Sequence, residues 1–132
     1  MAGIARMRSV VLDCPDTRVL AEFYRDLLGW EIIHAEYEAE DGWVALADGG
    51  LPRLCFQRAA DYRPPQWPDP VYPQQFHIDV TVDDMDSAEK QVLALGAVKT
   101  DVQFGDDDTF RTFLDPAGHP FCLCAGEPAT RP

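Results

Sequence analysis

A chain of 132 residues with 46% hydrophobic and 11% aromatic residues is long enough to bury a core and too apolar to be disordered. Its formal net charge of −12 argues against nucleic acid, which is held by clustered Lys and Arg, and disfavours anionic membrane surfaces. No apolar run is long enough to span a bilayer, the N-terminus lacks a signal-peptide core, and the cysteines form no C-x-x-C pair, so a cytoplasmic protein with reduced thiols is expected.

Met1–Met7 reads as a short leader. In Arg8–Cys14, Val10, Leu12 and Cys14 alternate with Ser9, Val11 and Asp13, the period-two pattern of a strand. Asp16 stands where it can cap a helix over Thr17–Leu28, whose apolar stripe is Leu20, Phe23, Tyr24, Leu27 and Leu28 and whose stop is Gly29. Trp30–Ala35 predicts a second strand and Glu36–Asp41 an acidic turn. Trp43–Ala47 and Arg53–Arg58 predict a hairpin across Asp48, Gly49 and Gly50, which completes one βαβββ module over residues 8–58. Residues 59–74 carry Pro64, Pro65, Pro68, Pro70 and Pro73 and form a stiff connector, in which Trp67 either covers a core edge or rims a binding site.

Residues 75–125 form the second module. His77, Asp79 and Thr81 alternate with Ile78, Val80 and Val82, and Asp83 and Asp84 end the strand. Asp84 or Asp86 caps a helix, with Glu89 in capping-box position to Asp86; Met85, Ala88, Val92 and Leu95 share one stripe and Gly96 is the stop. The helix therefore covers Ile78, Val80 and Val82 and leaves His77, Asp79 and Thr81 on the opposite face. A strand near Val98–Val102 and a loop over Gly105–Thr109 follow. The last hairpin joins Phe110–Leu114 to Pro120–Cys124 across Asp115-Pro116-Ala117-Gly118, where Pro second and Gly fourth suit a type I turn. Asp106-Asp107-Asp108 reads as a solvated loop, His34 and His119 as exposed, and Glu127–Pro132 as a tail.

The modules repeat each other. Superposing Asp16 on Asp84 places Ser9 on His77; superposing Asp48 on Asp115 places Cys55 on Cys122 and Trp43 on Phe110, with a slip of one residue between the two alignments. The fold expected is α+β: a single domain over residues 1–132, with two tandem βαβββ modules, curved mixed sheets forming a cup and helices outside. Parity lines the cup with Ser9, Val11, Asp13, Arg53, Cys55, Gln57, His77, Asp79, Thr81, Cys122 and Cys124.

Three stretches, CPDTRVLAEFYRDLLGW (14–30), HIDVTVDDMDSAEKQVLALGA (77–97) and DPAGHPFCL (115–123), make the chain resemble the vicinal oxygen chelate superfamily, which includes glyoxalases, bleomycin-resistance proteins and extradiol dioxygenases. Small bacterial glyoxalase-like domains, with a Pro- and Trp-containing connector, are the most similar in character. The resemblance implies a divalent metal held by the first and last strands of each module, which carries over to Ser9, Cys55, His77 and Cys122. Only His77 has the usual chemistry. The D-P-x-G-x-x-x-E motif of metal-binding members reads DPAGHPFC here, without its carboxylate.

A hard cation is therefore disfavoured, and no cofactor is expected. His77, Cys55 and Cys122 remain weak candidates for Zn²⁺, with the cysteines equally readable as small buried hydrophobes; Asp13 and Asp79 are an alternative set with His77. The expected function is binding of a small organic ligand, aromatic or cationic. Trp43, Trp67, Phe104 and Phe110 would supply apolar surface, and Ser9, Asp13, Cys55, Gln57, His77, Asp79 and Cys122 the polar lining. The alternative is a glyoxalase-like lyase, isomerase or dioxygenase, with an atypical metal or with His77 as catalytic acid or base. The resemblance and the strand edges also imply a homodimer.

Overall fold

The structure, a computed structural model, describes residues 3, 7–38 and 42–126. The tail at 127–132, most of the leader and the tip of the acidic turn lie outside the described residues. The chain divides between Tyr62 and Arg63 into two compact units, so the proline-rich connector is shared, with residues 63–74 belonging to the second.

The first unit runs β1 (Val10–Cys14), α1 (Thr17–Leu28), β2 (Glu31–Glu36), β3 (Trp43–Asp48) and β4 (Leu51–Arg58). Its mixed sheet has the order β1-β4-β3-β2, with β1 parallel to β4 and the other pairs antiparallel. Asp16 caps α1 as the sequence predicts, its carboxylate accepting from the backbone N–H of Arg18 at 3.0 Å and of Val19 at 3.2 Å. Gly29 ends the helix at φ +69°, in the left-handed region that a Cβ disfavours. One face of the sheet meets the apolar stripe of α1: Leu12, Val44 and Phe56 are buried, and the Phe56 ring stacks on Tyr24 at 5.6 Å.

The second unit repeats this plan with β5 (Ile78–Thr81), α2 (Met85–Ala94), β6 (Val98–Lys99), β7 (Phe110–Leu114) and β8 (Pro120–Cys124), in the order β5-β8-β7-β6. The α+β class and the two βαβββ modules read from the sequence are present. Asp115-Pro116-Ala117-Gly118 closes with the Gly118 N–H donating to the Asp115 carbonyl at 2.8 Å, and the Asp115 carboxylate accepts from the N–H of Ala117 and His119. Phe113 and Phe121 stack at 5.8 Å on the face that also carries Arg111.

Four expectations need correction. Asp84 alone caps α2, accepting from the Ser87 N–H at 2.9 Å, and there is no capping box. Asp86 and Glu89 turn instead to a guanidinium: Arg111, 5% exposed, lies 2.9 Å from Asp86, 3.3 Å from Glu89 and 3.1 Å from Asp107. Asp107 is thus part of a buried cation's shell rather than only a solvated loop. The strand expected over Val98–Val102 stops at Lys99, because the Gln103 side chain takes the place of the next strand residue. Its Oε1 accepts from the Thr112 N–H and its Nε2 donates to the Thr112 carbonyl, each at 2.8 Å. His119, expected to be exposed, is half-buried beside its turn.

Candidate functional site

Strand register dictates what the open face of the second sheet presents. Asp79 of β5 pairs with Cys122 of β8, which pairs with Thr112 of β7, so these three side chains form one row across the sheet. Thr81, Cys124 and Phe110 make the adjacent row in the same way. Helix α2 and the Phe113–Phe121 pair occupy the other face, where Arg111 holds the helix through Asp86 and Glu89.

His77, two residues before Asp79, projects to the same side, and its Nε2 lies 3.1 Å from Asp79 Oδ1. Both side chains are accessible, whereas Cys122 is 5% exposed beneath them. Cys122 Sγ lies 3.4 Å from Thr112 Oγ1. Burial raises the Cys122 thiol above its ordinary value against the Thr112 hydrogen bond, and the Asp79 charge adds to the rise. Cys124 is pushed up to about 12 by burial, with Asp79 and Cys122 contributing. Both are therefore neutral thiols at pH 8, where thiolate is the reactive species. Reaction with a disulfide reagent at pH 8 is expected to be slow in the folded protein and fast in denaturant; equal rates would contradict this.

Over this floor stands an aromatic rim, which encloses a recess of about 430 Å³. Trp67 and Phe104 meet edge to face at 5.4 Å, and Phe110 closes the side nearest β7. Trp67 therefore stands on the rim of this recess rather than against the core. Phe104 is held through its neighbour Gln103, whose amide clasps β7. Gly105 is required by contact: a Cβ there would stand 2.3 Å from the Phe110 ring. Gln74, Thr112 and Pro120 complete the lining.

The remaining sequence candidates belong to the first unit. Asp13, Gln57 and Trp43 form one row of its open face, and Val11, Cys55 and Ala45 form the next. Cys55 is fully buried, Ser9 half-buried, and Asp13 and Gln57 exposed. Gln74 and Thr112, polar residues of the recess lining, were not among the sequence candidates. Gln74 sits in a connector whose prolines masked it, and Thr112 lies inside β7, where nothing in the pattern sets it apart.

His77, Asp79 and Cys122 offer one nitrogen, one oxygen and one sulfur ligand atom, all within 4.8 Å of one another. This set fits a borderline-soft ion such as Zn²⁺ with a coordination position left open, and it lacks the multiple oxygens a hard ion needs. Such an ion would have to displace the Cys122 proton that burial favours.

The sequence matches the model of a family described as glyoxalase-like domain over residues 9–124. None of the curated proteins matches. Among solved structures, the chain is similar to the fosfomycin resistance protein FosX from Listeria monocytogenes, in a complex with Mn(II) and 1S,2S-dihydroxypropylphosphonic acid. That match has 17% identity, covers 96% of each chain and has a TM-score of 0.69. A glyoxalase family protein from Enterococcus faecalis matches at 20% identity, with 92% and 98% coverage and a TM-score of 0.64. A glyoxalase/bleomycin resistance protein/dioxygenase family enzyme from Burkholderia phytofirmans matches at 17% identity, with 92% and 98% coverage and a TM-score of 0.64.

Proposed function

The chain belongs to the glyoxalase-like domain family, and from that premise we propose that it binds a small organic molecule, aromatic or cationic, in the recess of the second unit. One observation carries the reading: three aromatic side chains rim a floor whose polar groups, His77, Asp79 and Thr112, converge on the same space. A mostly apolar hollow of this size with a few placed polar groups is the usual form of a ligand site. The net charge of −12 favours a cation over an anion.

The test is a thermal-shift and calorimetric screen of aromatic and cationic compounds, with and without chelator. Stabilisation indifferent to chelator is expected. Gly105→Ala, which drives a methyl group into the Phe110 ring, should weaken binding by about tenfold or more while the fold survives. Unchanged affinity in that variant would place the ligand elsewhere.

A second reading is favoured by the convergence of His77, Asp79 and Cys122. In it the protein is a glyoxalase-like lyase, isomerase or dioxygenase, with an ion at that trio as Lewis acid or with His77 as acid or base. Elemental analysis of freshly purified protein separates the readings: a stoichiometric divalent metal would put the enzyme first. The binding reading carries with it a homodimer in the cytoplasm, and light scattering checks the pairing. Among the described residues, no helix is long and apolar enough to cross a membrane.

A further inference from the structure

Phe104 is 70% exposed, so burial contributes little to hold its ring against Trp67 at the edge of the recess. Polar ties on either side of it must do so. On one side the Gln103 amide grips the backbone of Thr112 in β7. On the other the chain turns back to β7 through Asp106. Its carbonyl accepts from the N–H of Thr109 at 2.8 Å and of Phe110 at 3.1 Å, and its carboxylate accepts from the Asp108 N–H.

The outer bend of this loop is gripped from the far face of the sheet. Arg111 follows Phe110 on β7 and so points away from the recess. Its Nε donates to the Asp107 carbonyl at 3.0 Å and lies 3.1 Å from the Asp107 carboxylate, while Nη1 and Nη2 reach Glu89 and Asp86 of α2. The guanidinium is planar and stiff, so holding two of its corners on the helix and the third on the loop fixes one against the other. At 5% exposure it is also shielded from the water that weakens a surface ion pair. Gln103 and Asp107 thus pin the loop at two points, with Phe104 between them.

Resting on the reading of this recess as a ligand site, we propose that Arg111 is a positioning residue of that site. Through Asp107 it sets the place of Phe104, and hence the aromatic corner that a ligand meets, without touching the ligand. The acidic loop thereby has a role that its exposure hides: Asp107 is the handle by which a buried cation holds the rim.

The experiment reads Trp67 itself, through its indole N–H resonance in the full chain at pH 7, assigned from its loss in Trp67→Phe. Phe104→Leu removes the neighbouring ring and marks where the resonance goes when the corner is lost. Arg111→Met is expected to move it most of the way to that position, and Asp107→Ala, which leaves the backbone carbonyl in place, part of the way. Asp86→Asn cuts only a tie to α2 and should leave it unmoved. The indole signals of Trp30 and Trp43, in the first unit, should hold still throughout. A Trp67 resonance that stays put in Arg111→Met or in Asp107→Ala overturns the inference. An equal shift in Asp86→Asn also overturns it, because the ring then responds to any loosening of the cluster. If Arg111→Met does not fold, Asp107→Ala against Asp86→Asn decides, since both of those side chains are largely exposed. No ligand enters the measurement, so failure here leaves the recess as a ligand site, and failure of the ligand screen leaves this result standing.

Discussion

Phe121→Ala is expected to lower the unfolding free energy by about 3–5 kcal/mol, the usual cost of deleting a buried aromatic side chain. Phe121 is fully buried, stacked on Phe113 on the helix side of the second sheet. Cys122, the next residue, points the other way, and Cys122→Ala should cost only about 1 kcal/mol, because a single sulfur leaves a small cavity. Denaturant titration of the two variants tests whether β8 divides its residues between a core and a site. Equal losses at 121 and 122 would mean that the alternation has been misplaced.

Arg111→Met should cost about 1.5–3 kcal/mol, the range for hydrogen bonds to charged groups. The guanidinium is buried while Asp86 and Asp107 are largely exposed, so its removal strands no deeply buried carboxylate. What is lost is the join between α2 and the sheet. Arg111→Lys should recover little, since an ammonium cannot present a fork to Asp86, Glu89 and Asp107 together. The same cluster makes stability sensitive to acid. A hydrogen bond from Lys99 holds the Glu89 carboxyl below its ordinary value; burial opposes this, and Arg111 assists. Its contribution is therefore complete above the ordinary carboxylate range and fades as pH falls through the lowered folded value. Glu89→Gln should flatten that part of the acid slope. An unchanged slope would show that Glu89 does not stabilise the fold.

Most of the architecture was legible because it rests on periodicity. Alternation in Val10–Cys14 and His77–Val82 gave the buried and open faces, and the two superposed halves recur as matching ladders: Val11 opposite Cys55, as Asp79 is opposite Cys122. The hairpins followed from turn chemistry at Asp48-Gly49-Gly50 and Asp115-Pro116-Ala117-Gly118. Side chains that act outside their own element could not be read this way. Nothing in the pattern FRTFL singles out Arg111, and only the fold shows Asp86 and Glu89 one helical turn apart above it. Gln103 imitates backbone, a role invisible to any residue pattern, and it shortened β6 against expectation. Of the site, His77, Asp79 and Cys122 came from parity. The convergence of Trp67, Phe104 and Phe110 could only be named as a list of candidates, because loop conformation decides it.

The two sheets share a ladder but not its chemistry. Where the second writes Asp79, Cys122 and Thr112, the first writes Val11, Cys55 and Ala45 at the equivalent rungs. The amino-terminal half thus carries the same ladder without that polar trio. Two exchanges, Val11→Asp and Ala45→Thr, would transcribe the polar trio onto it, giving a builder the same row twice within one chain.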